Sequence, residues 1–160
     1  KSYGLNASVI RLPNVFGPKA AIHSPEFTFN NYFVGLALQN KSITVYKPGT
    51  QLRNVLYVDD AVDALIAVAE ADSVAGEAFF AVGDEHYSVK DIAQQTCKIM
   101  GGSVQLIDWP KEREAIEIGD AVISNEKIKK ALNWVPMVGL EDGLKLTYDY
   151  YKDKLDKYLK

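Results

Sequence analysis

Short, β-branched, apolar runs alternate along this sequence with longer stretches in which apolar residues recur every three or four positions, and a chain satisfies both periods by laying helices against strands. Residues 7–12 read as a buried strand that stops at Pro13, with loop chemistry over residues 14–18. Ser24-Pro25-Glu26 supplies an N-cap, a proline suited to the first helical position and an early acid. With Phe29, Phe33, Leu36 and Ala37 at helical spacing, it predicts a helix running to about Gln39. Residues 43–46 predict a strand, Lys47-Pro48-Gly49-Thr50 a turn, and residues 54–58 another strand. Asp59 is expected to cap a helix whose buried stripe is Val62, Leu65, Ile66 and Ala69 and which ends before Gly76. Residues 78–82 read as a buried strand. Ser88 and Asp91 form a capping box for a helix that carries Ile92, Thr96 and Ile99 on one face and stops at Gly101-Gly102. Residues 104–107 and 115–118 predict short strands, and Ser124 caps a helix through Leu132. Leu140, Leu144, Thr147, Tyr148 and Tyr151 stripe a final helix, whose lysine-rich end over residues 152–160 frays into solvent. The fold class is α/β, with short strands and about five helices. No repeat, low-complexity tract or Gly/Ser linker divides residues 1–160 into more than one domain.

A chain of 160 residues buries roughly 70% of its unfolded surface, so it can build a real core. Its 48% hydrophobic and 24% charged residues match folded globular proteins and not disordered chains. The 18 basic and 21 acidic residues are interspersed, and the net charge of -3 leaves no basic field for a nucleic-acid backbone, so no nucleic-acid partner is expected. No apolar run approaches the ~20 residues that span a bilayer, and no membrane partner is expected either. Lys1-Ser2-Tyr3-Gly4 lacks a signal peptide's apolar stretch. Cys97 is the only cysteine, which excludes an intramolecular disulfide and fits a cytoplasmic location; its expected role is that of a small buried hydrophobe. The chain opens without Met, which reads as a segment of a longer protein.

Catalytic chemistry is hard to place here. No Gly-x-Gly occurs, so the backbone loop that cradles a dinucleotide's pyrophosphate is missing. His23 and His86 lie far apart and have only Cys97 to help them, so no metal is assigned and no nucleophile motif arises. Both read as surface or loop residues. Tyr148/Lys152 and Tyr150/Lys154 match Tyr-x-x-x-Lys, but a helix rich in both residue types generates that spacing by chance, and the pairs read as structural.

Polar residues gather instead at three places where strands give way to loops, the ends at which α/β folds place ligands. The first is Arg11-Leu12-Pro13-Asn14-Val15-Phe16-Gly17-Pro18. The Asn14 amide both donates and accepts, which suits a sugar hydroxyl or a phosphate oxygen, or simply a turn. In the second, over residues 49–60, Arg53 alone breaks a neutral stretch ahead of the acidic pair. Its guanidinium fork matches a phosphate, unless it pairs with Asp59 or Asp60 at the surface. The third, residues 113–120, combines Arg113, Glu117 and Asp120 with Gly119, which permits close backbone approach.

Taken together, these clusters resemble the extended short-chain dehydrogenase/reductase family, and within it the UDP-glucose 4-epimerase-like nucleotide-sugar epimerases, dehydratases and decarboxylases. The family's Arg-x-x-Asn-x-x-Gly-Pro looks like Arg11, Asn14, Gly17 and Pro18. Its Gly-x-Gln-x-Arg-Asp-x-x-Tyr-Val-x-Asp looks like Gly49, Gln51, Arg53, Tyr57, Val58 and Asp60, with Asn54 in the place of the first aspartate, and its Gly-Asp-Gly turn is Lys47-Pro48-Gly49. Its Leu-Gly-Trp-x-Pro followed by Leu-x-x-Gly-Leu looks like Leu132-Asn133-Trp134-Val135-Pro136 and Leu140-Glu141-Asp142-Gly143-Leu144.

The resemblance implies the C-terminal, substrate-binding part of an extended Rossmann-fold enzyme. The NAD-binding half, with its glycine loop and its catalytic Ser/Thr and Tyr-x-x-x-Lys, is expected upstream of Lys1, so no catalytic residue is expected in this chain. It implies that Asn14 and Arg53 bind the diphosphate of a nucleotide-sugar and that Leu12 and Pro13 lie beside the nicotinamide. Thr28, Asn30 or Asn31 would meet the nucleotide from the segment after Gly17-Pro18. By the same resemblance Arg113 and Asp120 would be further nucleotide contacts, although Glu117 stands two residues before Gly119, close to where the family often carries an arginine. The expected cofactor is NAD or NADP in a homodimeric parent, with none tightly bound by this segment alone. UDP-sugar 4-epimerisation leads; a reductase or decarboxylase of the same fold, or an NAD(P)-sensing protein that lost the catalytic dyad, are the alternatives.

Overall fold

The computed structural model describes residues 6–159. Lys1-Ser2-Tyr3-Gly4 and Lys160, both read above, lie outside them. The elements are β1 (Val9–Arg11), β2 (Asn14–Phe16), α1 (Phe29–Leu38), β3 (Ser42–Tyr46), β4 (Leu52–Tyr57) and α2 (Val58–Glu70). They continue with β5 (Ala78–Phe80), β6 (His86–Ser88), α3 (Val89–Met100), β7 (Ser103–Ile107), α4 (Lys111–Glu114), α5 (Glu126–Leu132) and α6 (Leu140–Tyr151).

Among the described residues the strands form three small sheets: a parallel β1–β5 pair, a β2–β4–β6 sheet and a parallel β3–β7 pair. In the middle sheet β2 runs parallel to β4 and β6 antiparallel to it. Parallel partners cannot be joined by a tight turn, so each pair is bridged by intervening helices, and that brings the C-terminal strand ends and their loops to common edges. The larger core gathers Phe16, Val34, Ile43, Ile92, Leu144 and Tyr151, where α1, α3 and α6 meet β2, β3 and β4. A second core, around Leu56, Ala64, Phe79, Ile128 and Trp134, lies under α2 and α5.

Two local devices fix the frame. Gly17 sits at φ +144°, and a Cβ there would lie 2.6 Å from Val58 Cγ1, so only glycine lets β2 turn away against the start of α2. Asp60 is 2% exposed, and its two carboxylate oxygens accept from the backbone N–H groups of Met137 and Val138 at 2.9 and 3.0 Å. Two motifs far apart in sequence are thereby tied together.

Local signals survive folding where their partners are local. Ser88 Oγ accepts from Asp91 N at 3.0 Å and donates to the Asp91 carboxylate at 2.6 Å, so the capping box forms. Other expectations give way to tertiary contacts. Helix α1 starts at Phe29 and not beside Pro25, because buried Asn30 and Asn31 tie its first turn to β2, while Ser24 makes only a local turn with Glu26 N. Asp59 does not cap α2; Tyr57 is the N-cap residue, and Asp59 and Asp60 occupy the first turn, at the positive end of the helix dipole. The stripe expected to be buried faces outward, with Val62, Leu65 and Ile66 45–48% exposed and Ala69 exposed too. Ala61, Ala64 and Val68 turn inward in its place.

Strands β1 and β5 are half-covered and not buried throughout. Ile10 and Phe79 face the second core, whereas Val9 is 53% and Phe80 37% exposed, the alternation of a sheet covered on one face. Asn14 opens a strand and not a loop. Residues 115–118 form no strand, because Ala115, Ile116 and Glu117 donate back to Lys111, Arg113 and Glu114 and continue the turns of α4. Strand β6 was not anticipated, and it places His86 in a sheet, where Nε2 accepts from Ile123 N at 3.1 Å. His23 is exposed, as expected, and edge-on to Phe27. Cys97 is only half-buried at the margin of the larger core, and burial raises its thiol pKa. After Tyr151 the chain leaves the helix and folds back. Tyr158 packs edge-on against Tyr151 with centroids 4.9 Å apart and shares a 2.5 Å hydroxyl contact with Tyr150, so Leu155, Tyr158 and Leu159 fold back onto the core while Lys152, Lys154 and Lys157 stay exposed as expected.

Candidate functional site

Because β3 and β7 pair in parallel from Ser42↔Ser103 to Tyr46↔Ile107, their C-terminal ends arrive together. Tyr46 closes β3 and Trp109 lies just beyond β7. Their rings stack with centroids 4.4 Å apart and planes 29° from parallel, and Trp109 Nε1–H donates to the Lys47 carbonyl at 2.5 Å. With Phe29 and Tyr32 of α1 they wall a cleft of about 480 Å³, which falls within the range of small-molecule sites. Its charged groups are Arg53, Arg113 and Glu117.

Arg53 reaches the cleft from β4, where its backbone is held opposite Tyr87. Its Nη1 donates to the carbonyls of Leu52 (2.8 Å) and Gly119 (2.6 Å), and its Nη2 donates to Glu117 Oε1 at 2.7 Å. The same carboxylate oxygen accepts from Gly119 N at 3.0 Å. Neither Asp59 nor Asp60 pairs with Arg53; Asp59 is exposed on α2, and Asp60 is spent on the backbone of residues 137–138. Arg113 is exposed and lines the same cleft, and its guanidinium has no hydrogen-bond or ion-pair partner among the described residues. Asp120 lies in an adjoining cleft of about 500 Å³ and accepts from Leu52 N at 2.7 Å, so its carboxylate fastens the start of β4.

Asn14, Thr28, Asn30 and Asn31 meet at the junction of β2 and α1. Asn30 Nδ2 donates to the Asn14 carbonyl at 3.1 Å, and Asn31 Nδ2 donates to the Val15 carbonyl at 3.0 Å and to Thr28 Oγ1 at 2.7 Å. Asn30 and Asn31 are 3% and 5% exposed, so their amides serve first to dock the helix on the strand, although Asn31 Oδ1 has no hydrogen-bond partner among the described residues. The Asn14 side chain is half-buried and makes no hydrogen bond to the described residues. Leu12 (41% exposed) and half-buried Pro13 stand past the C-terminal end of β1.

This arrangement of parallel strand ends has relatives. A family model described as the NAD dependent epimerase/dehydratase family matches residues 1–83, more than half of the 160. The chain belongs to that family. It is 30% identical to the UDP-N-acetyl-alpha-D-glucosaminuronate decarboxylase of Bacillus cytotoxicus, over 94% of this chain and 47% of the relative. It is 30% identical to dTDP-glucose 4,6-dehydratase 1 of Escherichia coli, over 94% of this chain and 42% of the relative. The crystal structure of UDP-glucose 4-epimerase with UDP-glucose from Thermotoga maritima superposes with a TM-score of 0.83 at 27% identity, covering 96% of this chain and 48% of that one. The chain spans less than half the length of the curated relatives it matches.

Family membership makes the departures informative. Asn54 replaces the family's aspartate and is 2% exposed; its Nδ2 donates to the carbonyls of Gly83 (2.8 Å) and Glu85 (3.1 Å), acceptors that would repel a carboxylate. In the same segment, burial and then a hydrogen bond with Glu85 push the Tyr87 phenol up to about 12. Burial raises the Asp84 carboxyl, but hydrogen bonds from Asn125 and Lys129, together with the Lys129 charge, outweigh it and hold the group low.

The two Tyr-x-x-x-Lys pairs are engaged within α6 and the tail. Lys152 bonds Asp149 at 2.7 Å, and Lys154 lies 4.1 Å over the Tyr150 ring. Among the described residues no three His, Cys, Asp or Glu side chains gather into a metal site, and no helix is long and apolar enough to cross a membrane.

Sequence reading did not single out Tyr46, Trp109, Phe29 and Tyr32 as cleft residues, nor Glu117 as the partner of Arg53. The available signal was positional: an aromatic residue at or just past the C-terminal end of each of two short apolar strands.

Proposed function

We propose that this chain is the substrate-binding part of an NAD(P)-dependent enzyme that acts on nucleotide-sugars, with the nucleotide lodged in the cleft between Tyr46, Trp109 and Arg53. The observation that carries this reading is the joining of a stacked aromatic wall to two guanidinium groups in one cleft. A planar base gains contact area against the rings, and a diphosphate matches the arginine forks. The unpaired Asn14 amide is suited to a sugar hydroxyl or phosphate oxygen. Within the family, UDP-glucose 4-epimerase-like turnover is the finer reading, and decarboxylation or dehydration of the same substrate class would use the same nucleotide grip.

The cofactor would meet this chain only at its lip. Leu12 and Pro13 offer apolar surface for the nicotinamide, but the sequence has no Gly-x-Gly to cradle the pyrophosphate. We therefore place the glycine loop and the Tyr-x-x-x-Lys acid/base pair in a separate dinucleotide-binding half. The outward-facing α2 stripe and the half-covered β1–β5 pair support this division, since both expose apolar surface that a further layer would bury. When bound, the nicotinamide supplies hydride transfer to and from the sugar; this chain positions and orients the substrate for it.

Titration of UDP into the chain, followed by Trp109 fluorescence, tests the assignment. Saturable quenching is expected, with Arg53→Ala weakening binding by about 10- to 100-fold and Arg53→Lys failing to restore it, because an ammonium lacks the planar fork. Equal affinity in all three proteins would remove Arg53 from the site.

A further inference from the structure

The cleft holds a carboxylate where an anion-binding site is weakened by one. Glu117 lies on no helix or strand, and its Oε1 is 2.7 Å from Arg53 Nη2 in a pair whose side chains are only 15% and 25% exposed, Arg53 first. Carboxylate and phosphate compete for the same face of a guanidinium, and two anions cannot share it in a poorly solvated cleft without strong repulsion. The guanidinium of Arg113, which lines the same cleft, has no partner among the described residues. A diphosphate arriving here would thus meet one free guanidinium and one already taken.

The segment that carries Glu117 can give way. Ile116 and Ile118 on either side are 72% and 75% exposed, and Gly119 at φ +70° has nothing within 4 Å of the position its Cβ would take. The Glu117 carboxylate is otherwise held only by the N–H of Gly119, two residues on, while its backbone N–H donates to the Glu114 carbonyl. Swinging the side chain outward breaks one ion pair and one local hydrogen bond, and shifting residues 115–119 with it also releases the Gly119 carbonyl from Arg53 Nη1; no core residue is moved.

We propose that Glu117 is an internal stand-in for the ligand's phosphate: it occupies Arg53 until a diphosphate displaces it, and so sets both the affinity of the cleft for anions and the position of residues 115–119. This rests on the reading of Arg53 as the diphosphate's partner. Engagement then proceeds by contact with Arg113 and exchange at Arg53. A nucleoside without phosphates has no means of driving the exchange and should bind without regard to residue 117.

Calorimetric titration of UDP and of uridine into the wild-type chain, Glu117→Gln, Glu117→Asp, Arg53→Ala and Glu114→Gln tests this. Glu114 is an exposed acid on neighbouring α4, and its substitution controls for the general loss of one negative charge. Glu117→Gln should bind UDP about tenfold tighter than wild type, as expected from freeing one charge-assisted hydrogen bond, with Glu117→Asp in between. Uridine affinity and the Glu114→Gln protein should stay within about twofold of wild type, because an exposed charge that does not touch Arg53 is screened by solvent and salt. If Arg53→Ala loses UDP binding while Glu117→Gln and Glu117→Asp gain none, the stand-in is refuted and the site remains. If Arg53→Ala binds UDP as wild type does, or none of the proteins binds it at millimolar concentration, the site assignment itself fails, and the stand-in with it.

Discussion

Asp60 shows how a single side chain can join two motifs that sequence presents as unrelated. Its buried carboxylate satisfies the N–H groups of Met137 and Val138, so the segment after Trp134 and Pro136 is anchored to the first turn of α2. Asp60→Ala would strand two backbone donors and is expected to cost about 3 kcal/mol in urea unfolding, with Asp60→Asn costing less because its amide oxygen still accepts one bond. A loss under 1 kcal/mol for the alanine would mean that solvent reaches residues 137–138. At this scale the sequence was legible where chemistry is self-contained. Arg53 stood out as a lone charge in a neutral stretch, but its partner Glu117 lies 64 residues away, and no local pattern points there. Asn30 and Asn31 read from sequence as nucleotide contacts, whereas their bonds to β2 carbonyls depend on a docking geometry that only the fold supplies.

Helix α2 carries the main lesson at the level of elements. Its period was correct and its inner face was not, because Val62, Leu65 and Ile66 look like a core stripe while Ala61, Ala64 and Val68 are the residues packed inside. Hydrophobic period identifies a helix; which face turns inward depends on how closely the sheet approaches, and a close approach selects alanine. Leu65→Ser is therefore expected to change the stability of the isolated chain by no more than about 0.5 kcal/mol. Ala64→Leu, at a position with no exposure, should cost about 1–3 kcal/mol through overpacking. Thermal unfolding of the two variants side by side decides between the faces, and the reverse order would restore the face read from sequence. The capping box at Ser88 was legible because donor and acceptor sit three residues apart. Strand β6, immediately before it, was not, because three residues carry no period and their pairing with β4 spans thirty residues and more.

For the molecule as a whole, α/β alternation and the three polar clusters were readable from the order of elements, while the closure of the aromatic cleft was not. The β1–β5 pair also leaves backbone edges and apolar side chains such as Val9 and Phe80 uncovered among the described residues, the condition under which sheets recruit other chains. The isolated chain should therefore self-associate with rising concentration in sedimentation experiments, and Val9→Lys should suppress it; association unchanged by that substitution would place the contact elsewhere. The register of β3 with β7 has a kinetic consequence. Ser42 must find Ser103 across about sixty residues before Tyr46 and Trp109 can meet, whereas α2 and α3 need only their own neighbourhoods. In refolding from urea, far-ultraviolet dichroism should recover before the emission of Trp109, read in a Trp134→Phe background. Simultaneous recovery would show that the chain crosses a single barrier with the cleft already closed. In the expected order, the cleft proposed for the nucleotide is the last part of the chain to exist.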